Sequence, residues 1–174
     1  MERPHEYAPI EWVELSEDKI PLSSLSGMDK AESDSKSAIS IISYFAEWCP
    51  NCHYEAKEIL KLYEKFTPSG LSITLVMDYA PKEASKAFTQ LHGLKMNWVL
   101  GELHEKDEEK RNNTLFFKFR KSLNDLRKWG TPFHIIKADG NMDYIGIVKG
   151  EFIDEEIQSF LNTVQQSRSD PGFL

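Results

Sequence analysis

The chain has 174 residues, 40% hydrophobic and 28% charged, a composition typical of one globular domain and unlike that of a disordered or fibrous chain. Its 28 acidic residues outnumber its 21 lysines and arginines, and the net charge of −7 argues against nucleic acid or an anionic membrane as the main partner. No apolar run approaches the ~18 residues of a transmembrane helix, and residues 1–10 lack the apolar centre of a secretory leader.

Residues 1–38 read as an acidic N-terminal extension. Alternating segments at 11–15 and 20–25 predict two short strands, which we expect to form an N-terminal hairpin packed on the core. Residues 23–37 are rich in Ser, Asp and Lys and predict a loop.

The next segment predicts a strand, a helix and a strand. Residues 39–45 are a short run of β-branched and aromatic residues, typical of a buried strand. Residues 50–66 have helical periodicity, and Pro50 is suited to a first helical turn because it lacks an N–H. Apolar residues recur there at steps of four and three, at Cys52, Ala56, Ile59, Tyr63 and Phe66. Residues 71–77 alternate in polarity and predict the second strand.

The middle of the chain predicts an insert at about 78–128. A helix is expected to start at Pro81, with Ala84, Ala87, Phe88 and Leu91 on its buried face and Gly93 at its end. Residues 97–100 predict a short strand, and the charged residues 101–113 predict a solvated segment.

A second helix of the insert is expected over 113–128. Its buried face is predicted to hold Leu115, Phe116, Phe119, Leu123 and Leu126. The basic residues Lys118, Arg120, Lys121, Arg127 and Lys128 are typical of a solvated helix face, with partner docking as the alternative.

The end of the chain predicts a hairpin and a last helix. Strands are expected at 133–138 and 142–148 around the turn Asp139-Gly140, followed by a helix beginning near Asp154. The order of elements implies an α/β fold with a mixed central sheet flanked by helices. We expect one domain over 39–166 and a flexible tail over 167–174.

The cysteines are only two, and they form one Cys-x-x-Cys. Cys49 lies where a strand meets a helix, and the N–H groups and dipole of a helix N-terminus favour a thiolate there. Cys52 lies one turn further along, on the apolar stripe. We therefore expect Cys49 to be exposed and to attack a disulfide, and Cys52 to be shielded and to resolve the mixed disulfide.

The segment YFAEWCPNC at residues 44–52 closely resembles the active-site segment of the thioredoxin superfamily. Gly130-Thr131-Pro132 resembles the Thr-cis-Pro loop that faces the cysteines in that family, and the turn at 139–140 resembles its hairpin. The resemblance covers residues 39–165. It implies a thioredoxin-like fold, a cis bond before Pro132, and thiol–disulfide exchange with neither a metal nor an organic cofactor.

Within that superfamily the chain most resembles the TlpA/ResA-like thiol:disulfide oxidoreductases. The N-terminal hairpin, the insert before Thr131 and the glutamate three residues after Cys52, Glu55, carry this resemblance. The chain departs from the pattern at Lys57, where the family often has proline. It departs again at Ser43, where thioredoxin has a buried aspartate, and in the length of the insert.

The candidate site consists of catalytic Cys49 and Cys52 with a set of supporting residues. The supporting residues are Trp48, Pro50, Glu55, Thr131 and Pro132. Trp48 and Trp129 are interpreted as packing residues, with the rim of a substrate groove as the alternative. Glu55 is either an ordinary surface carboxylate or a group that holds the pKa of the thiols up.

The Cys-x-x-Cys has four other interpretations. Two reduced packing cysteines, or a non-catalytic binding module, would leave the reactive position of Cys49 without a purpose. Cys49 to His53 also spells C-x-x-C-H, the attachment motif of c-type haem, although a sheet-like flank is atypical for it. A peroxiredoxin would have Thr three residues before its cysteine, where this chain has Ala46. We expect His53 to be solvent-exposed.

The sequence thus favours a thiol:disulfide oxidoreductase that acts as a reductant on protein disulfides. The resemblance implies an upstream redox partner of unknown identity and a monomeric protein. It also points to the bacterial periplasm or the outer face of the membrane, with the leader absent from this sequence, and the cytoplasm is the alternative.

Overall fold

The computed structural model describes residues 3–15, 22–29, 38–138 and 143–169. The elements in chain order are β1 (Tyr7–Ala8), β2 (Glu11–Glu14), β3 (Ile39–Phe45), α1 (Pro50–Phe66), β4 (Leu71–Met77), α2 (Lys82–Leu91), β5 (Asn97–Leu100), α3 (Glu108–Arg111), α4 (Leu115–Ser122), β6 (Phe133–Ala138), β7 (Tyr144–Val148), β8 (Glu151–Phe152) and α5 (Asp154–Ser169). Short 3₁₀ turns lie at Leu22–Ser24 and Thr67–Ser69.

The centre of the fold is a mixed six-stranded sheet in the order β2-β7-β6-β3-β4-β5. Strands β3, β4 and β5 are parallel and are joined by α1 and α2, whereas β6, β7 and β2 continue the other half of the sheet in antiparallel fashion. The predicted mixed sheet flanked by helices is confirmed. The bounds of α1, β3, β4, β5 and β6 are those expected from the sequence.

Two apolar layers cover the two faces of the sheet. Because successive strand residues point to opposite faces, Ile41 and Phe45 join one layer with α1 and α5, and Ile42 and Tyr44 join the other. The second layer contains Phe116 and Phe119 of α4, so the insert provides the helix on that face. Both faces of β3 are therefore buried, which holds its carboxyl end, and the cysteines that follow, in a fixed position.

The predicted N-terminal hairpin is wrong. Strand β2 pairs antiparallel with β7, and β1 pairs in parallel with β8, so the two N-terminal strands do not pair with each other. Of the second predicted strand, residues 22–24 form a 3₁₀ turn and residues 20–21 lie outside the described residues. The exposed edge of β7 accepts β2, and this pairing satisfies backbone groups that a local hairpin would have left at the sheet edge.

The buried face of α2 also differs from the prediction. Phe88 is buried as expected and packs edge-on against Phe45 with ring centroids 5.9 Å apart. Ala87 is exposed and Leu91 is 72% exposed, whereas Ser85 and Thr89 are buried. The Thr89 hydroxyl donates to the Lys86 carbonyl at 2.8 Å, so it is buried without losing a hydrogen bond. Gly93 has φ +63° directly after the C-cap, a conformation that suits glycine.

The insert is less helical than predicted. The helix expected over 113–128 spans only Leu115–Ser122, because Asn124 has the left-handed φ of +62° and the chain turns there. Leu126, expected in the core, is 86% exposed. The segment expected to be fully solvated contains α3, whose last residue Arg111 is buried.

At the C-terminal end, β6 and β7 pair as predicted, and the turn Asp139-Gly140 lies outside the described residues. Helix α5 continues to Ser169, beyond the start of the predicted tail at 167. The structure does not describe residues 170–174.

Candidate active site

Cys49 is the N-cap residue of α1. Its backbone is extended, and its sulfur accepts a hydrogen bond from the backbone N–H of Cys52 at 3.3 Å. Pro50 occupies the first turn, where an N–H would have no partner within the helix. The local sequence thus places the Cys49 sulfur at the positive end of a 17-residue helix.

The two thiols differ in accessibility, although less than predicted. Cys52 is completely buried, on the face of α1 that packs into the core. Cys49, predicted to be exposed, is only 6% exposed, and its sulfur lies against the Thr131 carbonyl. Both cysteines are free thiols in the structure.

The two thiols also differ in acidity. The pKa of Cys49 is lowered to about 7, first by a hydrogen bond from the Cys52 thiol, which outweighs the effect of burial. The nearby Thr131 side chain and hydrogen bonds from the backbone N–H groups of Cys52 and Asn51 lower the pKa further. Burial raises the pKa of Cys52 well above its usual value. At neutral pH a substantial fraction of Cys49 is therefore thiolate, whereas Cys52 stays protonated.

The loop at Thr131 faces the cysteines. The Thr131–Pro132 bond is cis, as predicted, and the Cys49 thiol donates to the Thr131 carbonyl at 3.5 Å. Gly130 precedes it with φ +72°, and a Cβ atom there would lie 2.2 Å from the guanidinium of Arg120. Glycine is required at this position both by the backbone angle and by the buried arginine behind it.

An aromatic rim formed by Trp48, Tyr79 and Trp129 belongs to the same apolar cluster as Cys49. The rings of Trp48 and Trp129 meet at nearly right angles with centroids 5.5 Å apart, and Tyr79 packs against Trp129 at 5.1 Å. The Lys106 ammonium lies 3.8 Å above the Trp48 ring. The Tyr79 hydroxyl donates to the Trp129 carbonyl at 3.0 Å, and this hydrogen bond links the segment after β4 to the segment before β6. The rim is partly accessible, so it can contact a substrate chain next to the thiols.

Glu55 is not a surface carboxylate. It is 2% exposed, and its Oε2 accepts hydrogen bonds from His134 Nε2 and from the backbone N–H of Phe152, both at 2.7 Å. The other ring nitrogen of His134, Nδ1, lies 2.6 Å from the Ser43 hydroxyl. With Nε2 donating to Glu55, Nδ1 is left as an acceptor for that hydroxyl. Each nitrogen of the His134 ring thus has a hydrogen-bond partner, Glu55 at Nε2 and Ser43 at Nδ1.

Burial suppresses the charges of Glu55 and His134. Burial raises the pKa of Glu55 well above its usual value, against the opposing hydrogen bond from Phe152, and burial lowers the pKa of His134 well below its usual value. The imidazole is therefore neutral at pH 7. Glu55 lies three residues after Cys52 on α1, so the two side chains are neighbours on the helix surface.

Sequence reasoning did not identify His134 as the partner of Ser43 and Glu55. Ser43 and His134 are direct partners in the β3–β6 register, and both side chains point to the α1 face of the sheet. The usable signal was an isolated histidine in the apolar strand after Pro132, together with Ser43, where thioredoxin has an aspartate. A single histidine in a predicted strand does not indicate that its hydrogen-bond partners are Ser43, 91 residues away, and Glu55, 79 residues away.

The N-terminal segment lies on the first turn of α1. Asn51, between the two cysteines, donates to the Pro4 carbonyl at 2.9 Å and to Glu151 Oε2 at 3.1 Å. Glu151 also accepts the backbone N–H of Glu6 at 2.6 Å and contacts His5 at 2.8 Å. These contacts place the N-terminal segment beside the helix end that carries the thiols, a position that the predicted hairpin did not anticipate.

His53 differs from the prediction. It is half-buried, with Nε2 on the Glu47 carbonyl at 2.7 Å and Nδ1 on His92 at 2.8 Å. Both ring nitrogens are occupied by these contacts, and Cys52 is fully buried, so the C-x-x-C-H motif does not present its side chains as haem attachment requires. Within the described residues, no group of three or more His, Cys, Asp or Glu side chains is arranged to hold a metal ion.

Comparison with known proteins identifies the fold. No family model and no curated protein sequence matches the chain. Among solved structures, the chain is similar to a thiol:disulfide interchange protein of the thioredoxin family from Chlorobium tepidum, with 15% identity and a TM-score of 0.55 over 95% of this chain and 99% of that one.

Two further structures are similar over most of their length. A thiol-disulfide isomerase from Corynebacterium glutamicum is 18% identical, with a TM-score of 0.53 over 93% of this chain and 96% of that one. The thioredoxin domain of a Bacteroides vulgatus thiol-disulfide oxidoreductase is 20% identical, with a TM-score of 0.52 over 90% and 96%. The predicted thioredoxin-like fold is confirmed. Across the described segments, no helix has both the length and the apolar character to span a bilayer.

Proposed function

We propose that the protein is a thiol:disulfide oxidoreductase that reduces disulfides in protein substrates, with Cys49 as the nucleophile and Cys52 as the resolving thiol. The observation that carries the proposal is the position of the Cys49 sulfur. It lies at the N-cap of α1, accepts the Cys52 N–H, and faces the Thr131–Pro132 loop, while Cys52 lies behind it in the core. The activities named for the structural relatives support it.

The reaction proceeds in two exchanges. The Cys49 thiolate attacks one sulfur of the substrate disulfide, a mixed disulfide forms, and the other substrate sulfur leaves as a thiolate that takes up a proton. Cys52 then loses its proton and attacks the Cys49 sulfur, which releases the second substrate thiol. The substrate gains two electrons, and the protein is left with a Cys49–Cys52 disulfide.

The acidities of the thiols favour this order of events. With the pKa of Cys49 at about 7, the outer sulfur is a substantial nucleophile at neutral pH, and the protonated Cys52 does not compete for the substrate. A return to the dithiol requires a second dithiol as electron donor, which is the role we assign to an upstream redox partner. The same scaffold without thiol chemistry, a binding module, would need neither the acidity of Cys49 nor its orientation.

The supporting residues have separate proposed roles. Trp48 and Trp129 form the rim on which the substrate chain rests, and Pro50 fixes the start of α1. Thr131 and Pro132 present extended backbone to the substrate next to the Cys49 sulfur. Glu55 acts only through its buried neighbours, because its carboxylate contacts His134 and Phe152 rather than the surface.

Two matched substitutions test the proposal. We expect Cys52→Ser to accumulate a mixed disulfide with a peptide disulfide and to stop before releasing product, because the resolving thiol is absent. Cys49→Ser should form no mixed disulfide at neutral pH. Mass spectrometry of the non-reduced products distinguishes the two. Trapping through Cys52 in the Cys49→Ser variant would contradict the assignment, and no exchange by the unaltered protein would contradict the activity.

A further inference from the structure

The insert forms an open groove beside the active-site rim. Its volume is about 600 Å³, within the range of ligand-binding clefts. The lining includes the last residue of α3, residues of α4 and the turn before Trp129. The side chains that matter for its chemistry are Arg111, Phe117, Lys121, Leu126, Arg127 and Lys128. We call this surface the insert groove.

The charge of the insert groove is opposite to that of the protein. Residues 110–130 contain seven lysines and arginines and a single carboxylate, Asp125, so the segment carries +6 in a chain whose total is −7. The groove lining itself contains four of these cations, Arg111, Lys121, Arg127 and Lys128, and two carboxylates, Glu108 and Asp125, so its net charge is positive. Such segregation produces a local potential that attracts negative charge in spite of the net charge.

Part of the groove's positive charge is unpaired. Arg127 is bound to Asp125 at 2.9 Å, and Lys128 lies 3.3 Å from Glu108. By contrast, Arg111 and Lys121 contact no carboxylate within the ranges that the structure describes.

Arg111 is set in place for a negatively charged ligand. It is buried to 8% exposure, its two terminal nitrogens donate to the Lys128 carbonyl and to Asn112 Oδ1, and its Nε has no acceptor among the described residues. The guanidinium carbon lies 4.7 Å from the centre of the Phe117 ring. The acceptors of its terminal nitrogens are neutral, so a carboxylate bound in the groove would supply a negative charge that this guanidinium otherwise lacks.

The groove also has an apolar component. Leu126 is 86% exposed, and Phe117 lies between the cations of Arg111 and Lys121. The predicted helix would have placed Leu126 in the core, but the turn at Asn124 leaves it at the groove. Basic groups around exposed apolar surface fit a chain segment that mixes carboxylates with apolar side chains.

The groove is continuous with the thiol site. Arg127 donates to the Pro132 carbonyl at 3.0 Å, and the Arg111 guanidinium lies 5.4 Å from the ring of Trp129, which forms the rim with Trp48. A substrate chain lying along the Thr131–Pro132 loop would therefore reach the groove within a few residues, because an extended residue spans about 3.3 Å.

We propose that the insert groove binds an acidic segment of the substrate protein that flanks its reactive cysteine. This inference rests on the proposed oxidoreductase function and adds the class of substrate. The carboxylates pair with Arg111 and Lys121, and an apolar side chain packs on Leu126 and Phe117. Binding there raises the local concentration of the substrate disulfide at Cys49.

The first experiment uses peptides without cysteine, so that it does not depend on thiol chemistry. A fluorescein-labelled peptide of alternating Glu and Leu is compared with its Lys and Leu counterpart by fluorescence anisotropy at low salt. We expect the acidic peptide to bind and to be weakened by added salt. If the two peptides bind equally well, the inference is overturned. It is also overturned if the basic peptide binds more tightly, which is the result that the net charge of −7 would favour.

Two variants with the same charge change locate the site. Lys121 and Lys118 are both exposed on α4, but only Lys121 lines the groove. We expect Lys121→Glu to weaken the acidic peptide by roughly 3- to 10-fold and Lys118→Glu to have a much smaller effect. Leu126→Ser should weaken binding without changing charge. Equal losses in the two lysine variants would place binding elsewhere on the basic surface.

The second experiment couples binding to chemistry. Reduced protein is mixed with peptide disulfides that carry acidic, neutral or basic flanks, and the rate constant of thiol release is measured. We expect the acidic flank to react fastest, with its advantage lost in Lys121→Glu. If the neutral disulfide is reduced and the acidic flank gives no larger rate constant, the groove is not a substrate site. Absence of any turnover would instead refute the proposed function, and the anisotropy experiment would still decide whether the groove binds acidic chains.

Discussion

Glu55 Oε2 and His134 Nε2 lie 2.7 Å apart, and both side chains are shielded from solvent between α1 and the sheet. The contact joins the helix that carries the cysteines to the strand that follows Pro132. Because the pKa of Glu55 is raised and the pKa of His134 is lowered by burial, the pair is held together as a largely neutral hydrogen bond rather than as an ion pair. Helix α1 and strand β6 are thus joined by polar side chains that are buried away from the surface.

We expect a double-mutant cycle at this pair to show strong coupling. Glu55→Ala should destabilise the protein by about 2–4 kcal/mol, since it leaves the His134 ring and the Phe152 N–H without an acceptor. His134→Ala should also be costly, and the two losses should not add, because the second substitution removes a group that is already unpaired. Urea denaturation at pH 7 measures the four variants.

Ser43→Ala is the control for this cycle. It removes the hydroxyl at His134 Nδ1 and leaves the bond to Glu55 in place, so its effect should be smaller, about 1 kcal/mol. Additive losses at Glu55 and His134 would show that the contact contributes nothing specific.

Alkylation of the reduced protein should be selective for Cys49. With a pKa of about 7, roughly half of its thiol is ionised at pH 7, compared with about a hundredth for a cysteine with a pKa of 9, and Cys52 is less ionised still. The rate with iodoacetamide should rise with pH around a midpoint near 7 and then level off. Peptide mapping of the first adduct to Cys52 would contradict the assignment of roles.

The placement of these thiols was open to prediction from local sequence alone. The strand, the break at Trp48, Pro50 in the first turn and the apolar stripe through Cys52 are all determined within about 25 residues, and all are found in the structure. The expected exposure of Cys49 was overestimated because Thr131, whose carbonyl contacts the Cys49 sulfur, comes from a distant part of the chain.

The rest of the site depends on contacts that periodicity does not encode. The partners of His134 follow from the register of two strands about 90 residues apart. The insert was predicted as one long helix because its apolar residues recur at helical spacing, but the turn at Asn124 and the bond from Asp125 to Arg127 reverse the chain. Those features bring the basic residues together as a groove.

The stability of the protein should depend on pH through Asp78. This carboxyl is 2% exposed, and burial raises its pKa to about 7, although it accepts the backbone N–H groups of Tyr79 and Leu103. A pKa raised in the folded state gives a contribution that is fully present below the unfolded pKa near 4. That contribution is lost as the pH rises towards 7.

Asp78→Asn should therefore become relatively more stable as the pH increases. Asparagine keeps the acceptor oxygen but never ionises. The difference in the free energy of unfolding between the variant and the unaltered protein should be smallest at pH 4. It should grow in favour of the variant by about 2–4 kcal/mol and become constant above pH 7. Chemical denaturation at pH 4, 5.5 and 8 tests this; a difference independent of pH would show that folding does not raise the pKa of Asp78.

The reduction potential of the Cys49–Cys52 disulfide should be closer to that of thioredoxin than to that of a strong oxidant. Strong oxidants stabilise the thiolate to a pKa near 3.5 and have potentials near −120 mV, whereas a pKa of about 7 accompanies about −270 mV. The pKa of Cys49 is about 7, and neither Pro50 nor Asn51 supplies positive charge. Pro50→His places a partly protonated imidazole beside the thiolate and should shift the potential upward. Equilibration with glutathione and dithiothreitol buffers measures both proteins; a value above roughly −180 mV for the unaltered protein would contradict the proposed role as a reductant.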